Sequence, residues 1–202
     1  MPNPALEEAF REACAVAPSG IATLHTFELD HPSFTQPIRV VRNHPDIATW
    51  LALGGQGVQD VLDAMAPEDV EQVGLVARLE DGAPNNPGEL VAFIALAFDF
   101  ELPAIENTAS PEIMIEMDNV SREIRAALDK AVESSQNITV IYRPFLSDDI
   151  STPQWNPPPQ LTLFDAKVGV MTVQGRARIL DVGNKAFPKI VYDAERFPTL
   201  TR

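Results

Sequence analysis

Cysteine is nearly missing from this chain of 202 residues, which holds one, Cys14. A single thiol excludes an internal disulfide and any metal cluster built on several cysteine ligands. Histidine is scarce too, with His25, His31 and His44 the three present. None stands four residues from another, the spacing that sets two imidazoles on one helical face for zinc, so no metal centre and no cofactor is expected. No apolar run approaches the roughly 18 residues that a membrane helix requires. The N-terminal segment lacks a basic start and contains Glu7, Glu8 and Glu12, so it does not read as a secretory signal. These shortages together point to a protein made and kept in the cytoplasm, or in a particle assembled there.

Positive charge is the remaining shortage. Fifteen Lys and Arg stand against 29 Asp and Glu, for a net charge of −14. The imbalance is uneven: the first 175 residues carry about −17, and the stretch from Arg176 onward about +3. An acidic body argues against nucleic-acid binding, because Lys and Arg on phosphates supply most of that affinity. The basic tail either docks on a neighbouring copy or is a solvated end.

Apolar residues make up 45% of the chain, enough for a core, and the length suits one domain over residues 1–202. Its organising stretch is Pro111 to Phe145. Ile113, Ile115 and Met117 alternate with Met114, Glu116 and Asp118, the period of a half-buried strand. Asp118 or Asn119 can cap a helix whose apolar face is Val120, Ile124, Ala127, Leu128, Ala131 and Val132. Ile138, Val140 and Tyr142 then return to a period of two. The remaining strands need this helix as a lid.

In chain order, Pro4 to Ala17 predicts a short helix within residues 1–20, stopped by Pro18-Ser19-Gly20. Leu24, Thr26, Glu28 and Asp30 share one strand face and Thr23, His25, Phe27 and Leu29 the other. A turn at His31-Pro32-Ser33 follows, with a return strand at an edge or starting at Pro37. Residues 49–88 read as an insertion. Gly54-Gly55-Gln56-Gly57 is a flexible break, a helix spans Val58 to Met65, a strand runs from Val73 to Leu79, and a loop from Asp81 to Gly88. Leu90 to Leu102 predicts one central strand. Residues 146–160, with Trp155 and Pro157-Pro158-Pro159, predict an extended surface loop. Leu161–Phe164 and Lys167–Gln174 are two further strands, and residues 184–202 form an extended segment that is ordered by packing on something else. The predicted fold class is β-rich α+β, an antiparallel β-sandwich or partly closed barrel with one flanking helix and a helical insertion.

Chemistry is hard to find in this pattern. The glycine run at Gly54 lacks the Lys-Ser/Thr of a phosphate loop. Asp148 and Asp149 lack the spacing and closing glutamate of a calcium loop and read as a loop tip. Glu116 and Asp118 share a strand face, but a helix N-terminus also favours acids there. No catalytic residue is expected.

Three stretches resemble a family of tailed-bacteriophage minor tail proteins, usually catalogued as a phage domain of unknown function. They are Leu29 to Asn43 (LDHPSFTQPIRVVRN), Ile115 to Val120 (IEMDNV) leading into a helix, and Phe187 to Leu200 (FPKIVYDAERFPTL). The last matches a Phe-Pro, a Tyr and a closing Phe-Pro-Gly-Leu, except that Thr199 stands where the family commonly has glycine. The resemblance leaves out roughly Thr49 to Gly88, where this chain is longer. It implies a non-enzymatic structural component of the tail end of a siphophage virion, assembled in the host cytoplasm. The protein would be a homo-oligomeric, hexameric ring between the tail tube and the central hub, built on a tube-like β-sandwich. DNA would pass through the channel without sequence-specific binding, and no membrane would be contacted. Candidate inter-subunit contacts on this reading are Phe34, Arg39, Trp155, Phe187, Tyr192, Arg196 and Phe197. An acidic channel wall would keep DNA from sticking. A tail-completion or tube-like ring elsewhere in the tail is the nearest alternative. A receptor-binding module centred on Trp155 and a cell-wall hydrolase are alternatives of other classes.

Overall fold

The computed structural model describes residues 20–101, 112–118, 122–132, 134, 136–169 and 172–179. The N-terminal helix, Cys14 and the C-terminal segment therefore lie outside the described residues. β1 (Thr23–Asp30) and β2 (Ile38–Val41) form the expected antiparallel hairpin, with Phe27 opposite Val40 and Glu28 opposite Arg39. Pro37 falls just before β2, where its missing N–H forfeits no ladder bond.

The insertion differs from its sequence reading. The break expected at Gly54 to Gly57 is present as a kink: α1 (Ile47–Asp63) is two helical segments joined at Gly55, whose non-helical φ of 53° and ψ of −130° only glycine adopts without strain. The helix starts earlier than the apolar spacing from Val58 suggested because Asp46 caps it. One carboxylate oxygen of Asp46 accepts from Thr49 N at 3.2 Å and the other from Thr49 Oγ1 at 2.6 Å. Those bonds favour the ionised form and hold the Asp46 carboxyl below its usual pKa. A short α2 (Pro67–Val70) begins with Pro67 in the first turn, where its missing N–H costs nothing. β3 (Val73–Arg78) then pairs antiparallel with β4 (Leu90–Ala95). The register slips at Gly74, where a Cβ would stand 2.8 Å from Val41 Cγ1 and 2.9 Å from Ala95 Cβ.

The predicted single strand from Leu90 to Leu102 is two. β4 ends at Ala95 and β5 (Phe98–Glu101) begins after a gap of two residues, at the opposite end of the sheet. The strand order is β3-β4-β2-β1-β7-β8-β9-β6-β5. Leu96 and Ala97 cross the gap: Leu96 N donates to Val41 O at 3.0 Å, and Ala97 O accepts from Asp118 N at 2.9 Å. The sheet therefore curls on itself, and the Phe27 ring meets Phe98 at 5.1 Å and Phe100 at 5.4 Å across the interior.

The strand–helix–strand unit is as expected, with β6 (Glu112–Asp118), α3 (Arg122–Val132) and β7 (Ile138–Leu146). Ile113, Ile115 and Met117 point inward, Met114 points outward, and Leu128 and Ala131 seal the core from α3. β8 (Gln160–Val168) continues through the predicted break at Asp165, which takes φ 52° at a bulge. The reversal comes instead before β9 (Thr172–Ile179), where Gly169 N bonds Thr172 O at 2.7 Å. A bulge hides a strand's continuity because it shifts which side chains face inward.

Nine strands in one mixed sheet, parallel only between β2 and β4, and three helices among the described residues make the fold β-rich α+β. Because side chains alternate across the strands, the sheet has two cores. One face buries Phe27, Leu29, Tyr142 and Val173 with α3; the other buries Leu24, Val41, Phe93 and Phe145 under Trp50, Val58 and Leu62 of α1.

Candidate functional site

β7 reads Ile-Thr-Val-Ile-Tyr-Arg-Pro-Phe-Leu, and Arg143 stands in the middle of that apolar run with no exposed surface. A charge so placed must be neutralised by partners that share its burial. Glu80, which follows β3, grips it in a two-pronged bond: Arg143 Nε donates to Oε2 at 2.8 Å and Nη2 to Oε1 at 2.9 Å. Arg143 Nη1 lies 3.3 Å from Glu28 Oε2 on β1, without hydrogen-bond geometry. Glu28, itself fully buried, accepts Arg39 Nε from β2 at 2.8 Å. Arg39 Nη2 continues to Asn86 Oδ1 at 2.9 Å, and Thr26 Oγ1 closes the floor on Arg143 O at 2.7 Å. Two guanidiniums and two carboxylates thus form one balanced cluster. It ties β1, β2 and β7 to the loop 79–89, so the arrangement suits anchoring a loop better than offering a reactive group.

A second polar group lies on the other face. His25 Nδ1 is 2.7 Å from the Tyr142 hydroxyl, and its ring meets Phe100 edge-on at 5.0 Å. Burial, helped by the nearby Arg42 cation, pushes the His25 pKa below its ordinary 6.5. His31 fastens the turn after β1 to the end of α3. Ser33 N donates to its Nδ1 at 3.0 Å, so that nitrogen is an acceptor and Nε2 carries the proton toward Ser134 Oγ at 2.8 Å. Among the described residues no group of three or more His, Cys, Asp or Glu side chains is placed to hold a metal.

Where the sheet crosses from β4 to β5 lies an open cleft of about 500 Å³, lined by Arg42, Asn43, His44, Phe98, Asp99 and Asp118. Its charges pair at the surface, with Arg42 Nη2 3.1 Å from Asp99 Oδ1.

The sequence-predicted contact residues scatter. Phe34 is half-buried against His31, 5.5 Å away, and against the core. Arg39 turns its guanidinium inward to Glu28. Trp155 is half-buried, 5.4 Å from Tyr142, and Pro153, Gln154 and Pro158 beside it are buried, so the loop lies down on the sheet where an extended surface loop was expected. The cause is that an indole beside prolines covers apolar surface at small entropic cost. Phe187, Tyr192, Arg196 and Phe197 lie outside the described residues. The cluster of Arg143, Glu80 and Glu28 went unread in sequence, although an arginine inside an apolar strand is a visible signal.

Among the described residues no helix is long and apolar enough to cross a membrane. No curated protein and no solved structure matches the chain. A family model described as a domain of unknown function, DUF1833, matches residues 9–192, and the chain therefore belongs to the DUF1833 family.

Proposed function

We propose that this protein is a structural component of a bacteriophage tail tip, a ring-forming distal-tail or baseplate protein that joins the tail tube to the central hub around the DNA channel. The observation that supports the reading is a β-rich, mostly antiparallel fold with a lid helix: the resemblance implies a tube-like β-sandwich with a flanking helix, and here the strands form one curled sheet with a core on each face. The resemblance of Leu29–Asn43, Ile115–Val120 and Phe187–Leu200 to minor tail proteins supports it from the sequence side. So does the excess of acid, which suits a wall along which DNA slides without sticking. The two other classes have less behind them. A sugar-binding module needs Trp155 in the open, and its ring lies against Tyr142. A hydrolase needs a pair of free carboxylates in a cleft; Glu28 and Glu80 are held by arginines, and of the two acids that line the open cleft, Asp99 is paired with Arg42.

Light scattering combined with electron microscopy of the same purified peak tests the ring. About six copies in an annulus is the expected result. Tails assembled without this protein are expected to lack a closed tip, and intact, infectious tails made in its absence would overturn the proposal.

A further inference from the structure

The curled sheet meets itself along a seam between β1 and β5, and side chains hold that seam more than backbone does. β5 stands last in the strand order and pairs with β6 alone among the described residues. Toward β1 the contact is made by rings: Phe98 and Phe100 lie 5.1 and 5.4 Å from Phe27, and Phe100 lies 5.6 Å from Tyr142. One backbone bond, from Leu96 N to Val41 O at 3.0 Å, fastens the chain just before β5. The Arg42–Asp99 ion pair also spans the seam, but both side chains are well exposed, so it adds little.

His25 sits among these rings. Its Nδ1 is 2.7 Å from the Tyr142 hydroxyl, and its ring stacks on Tyr142 at 6.0 Å and meets Phe100 edge-on at 5.0 Å. The titratable and charged groups packed about it are the Tyr142 hydroxyl from β7, Arg42 after β2 and, held by Arg42, Asp99 from β5. His44 and Asp118 stand farther off, lining the open cleft at the end of the seam. A proton on His25 therefore adds a second cation beside Arg42, and the acid across the seam is already engaged. As an imidazolium both ring nitrogens donate, so the Tyr142 hydroxyl can then only accept. A charge enclosed by rings is costly until water reaches it. Burial and Arg42 disfavour the charged ring in the closed seam, in keeping with this geometry.

We propose that the β1–β5 seam is an acid-operated latch: a proton on His25 parts it from Phe100, and the end of β5 then frays from β6 while the rest of the sheet stays paired. Phe100 is the ring that gives way because it is half-buried, whereas Phe27, Phe98 and Tyr142 are 1%, 3% and 2% exposed. Phe98 stays in place, two residues from the Leu96 bond, so the movement is confined to the strand end. The cleft beside Arg42, Phe98 and Asp99 supplies the water that hydrates the released imidazolium. The latch is independent of the ring reading above.

Hydrogen exchange of the full chain, read by mass spectrometry from about pH 7.5 to about pH 4.5 and corrected for the intrinsic rate at each pH, tests it. Protection of residues 98–101 is expected to fall at least tenfold as His25 gains its proton, while β7 and β8 keep theirs. His25→Gln keeps a hydrogen-bonding group beside Tyr142 and takes up no proton, so its β5 is expected to stay protected throughout. Wild-type protection that ignores pH, or a fall that His25→Gln shares, overturns the latch. A loss in β5, β7 and β8 together overturns it too, because that is global unfolding. In the wild type alone, the NMR titration of the His25 ring protons is expected to share its midpoint, below the ordinary 6.5, with the loss of protection. Separate midpoints overturn the proposal even where His25→Gln does not fold.

Discussion

The two faces of the sheet solve the same burial problem with different means. Under α3 the core is apolar and aromatic: Phe27, Phe98, Phe100, Tyr142 and Trp155 meet at ring separations of 5.1 to 6.0 Å. Under the insertion a core that is mostly aliphatic, with Trp50, Phe93 and Phe145, shares its face with Arg143, Glu80, Glu28 and Arg39. Apolar packing is non-directional and tolerates neighbours of about the right size, whereas a buried ion cluster specifies one arrangement of its groups. The difference teaches where position matters: the loop 79–89 has no regular structure of its own, and directional bonds hold it.

The largest expected effect comes from breaking the cluster unevenly. Arg143→Met leaves Glu80 buried without a cation and should cost about 4 kcal/mol, read as a drop in the urea midpoint. Adding Glu80→Leu should recover most of that loss, because a whole buried pair can be exchanged for apolar groups at little net cost. A single variant that loses less than about 1 kcal/mol would mean that the cluster does not anchor the loop. On the other face, Leu128→Ala removes a side chain of 1% exposure and should cost about 3 kcal/mol, with no single partner change able to restore it. A rescue there by one substitution would erase the contrast.

The smallest effect is in pH. His25 has a lowered folded pKa, so the unfolded chain binds its proton more readily. Its contribution is fully present above the ordinary 6.5 and is lost as pH falls through the folded pKa. His25→Gln cannot take up that proton, so its stability should decline less steeply than wild type below 6.5. Parallel curves from chemical denaturation at several pH values would exclude His25 as a source of the slope.

Local elements were legible where a pattern repeats. The β1–β2 hairpin and the β6–α3–β7 unit follow from alternation and from helical spacing, because one buried face imposes a period on the residues that fill it. Three features escaped. The helical segment of α1 that precedes the kink at Gly55 escaped, because it rests on the Asp46 cap and the burial of Trp50 and not on a repeated apolar spacing. The bulge near Asp165 interrupted the period of a single strand. The charge cluster draws on residues 28, 39, 80 and 143, and no window of sequence holds them together.

The sequence by itself determined the class of the fold, the inner and outer faces of most strands and the acid excess, because each depends on composition or on neighbours a few residues apart. Only the tertiary structure decided that Leu90 to Glu101 splits between opposite ends of the sheet, that Trp155 lies down, and that Arg143 is neutralised. Each of those depends on which distant strands pair, and that is set by closing the whole sheet at once.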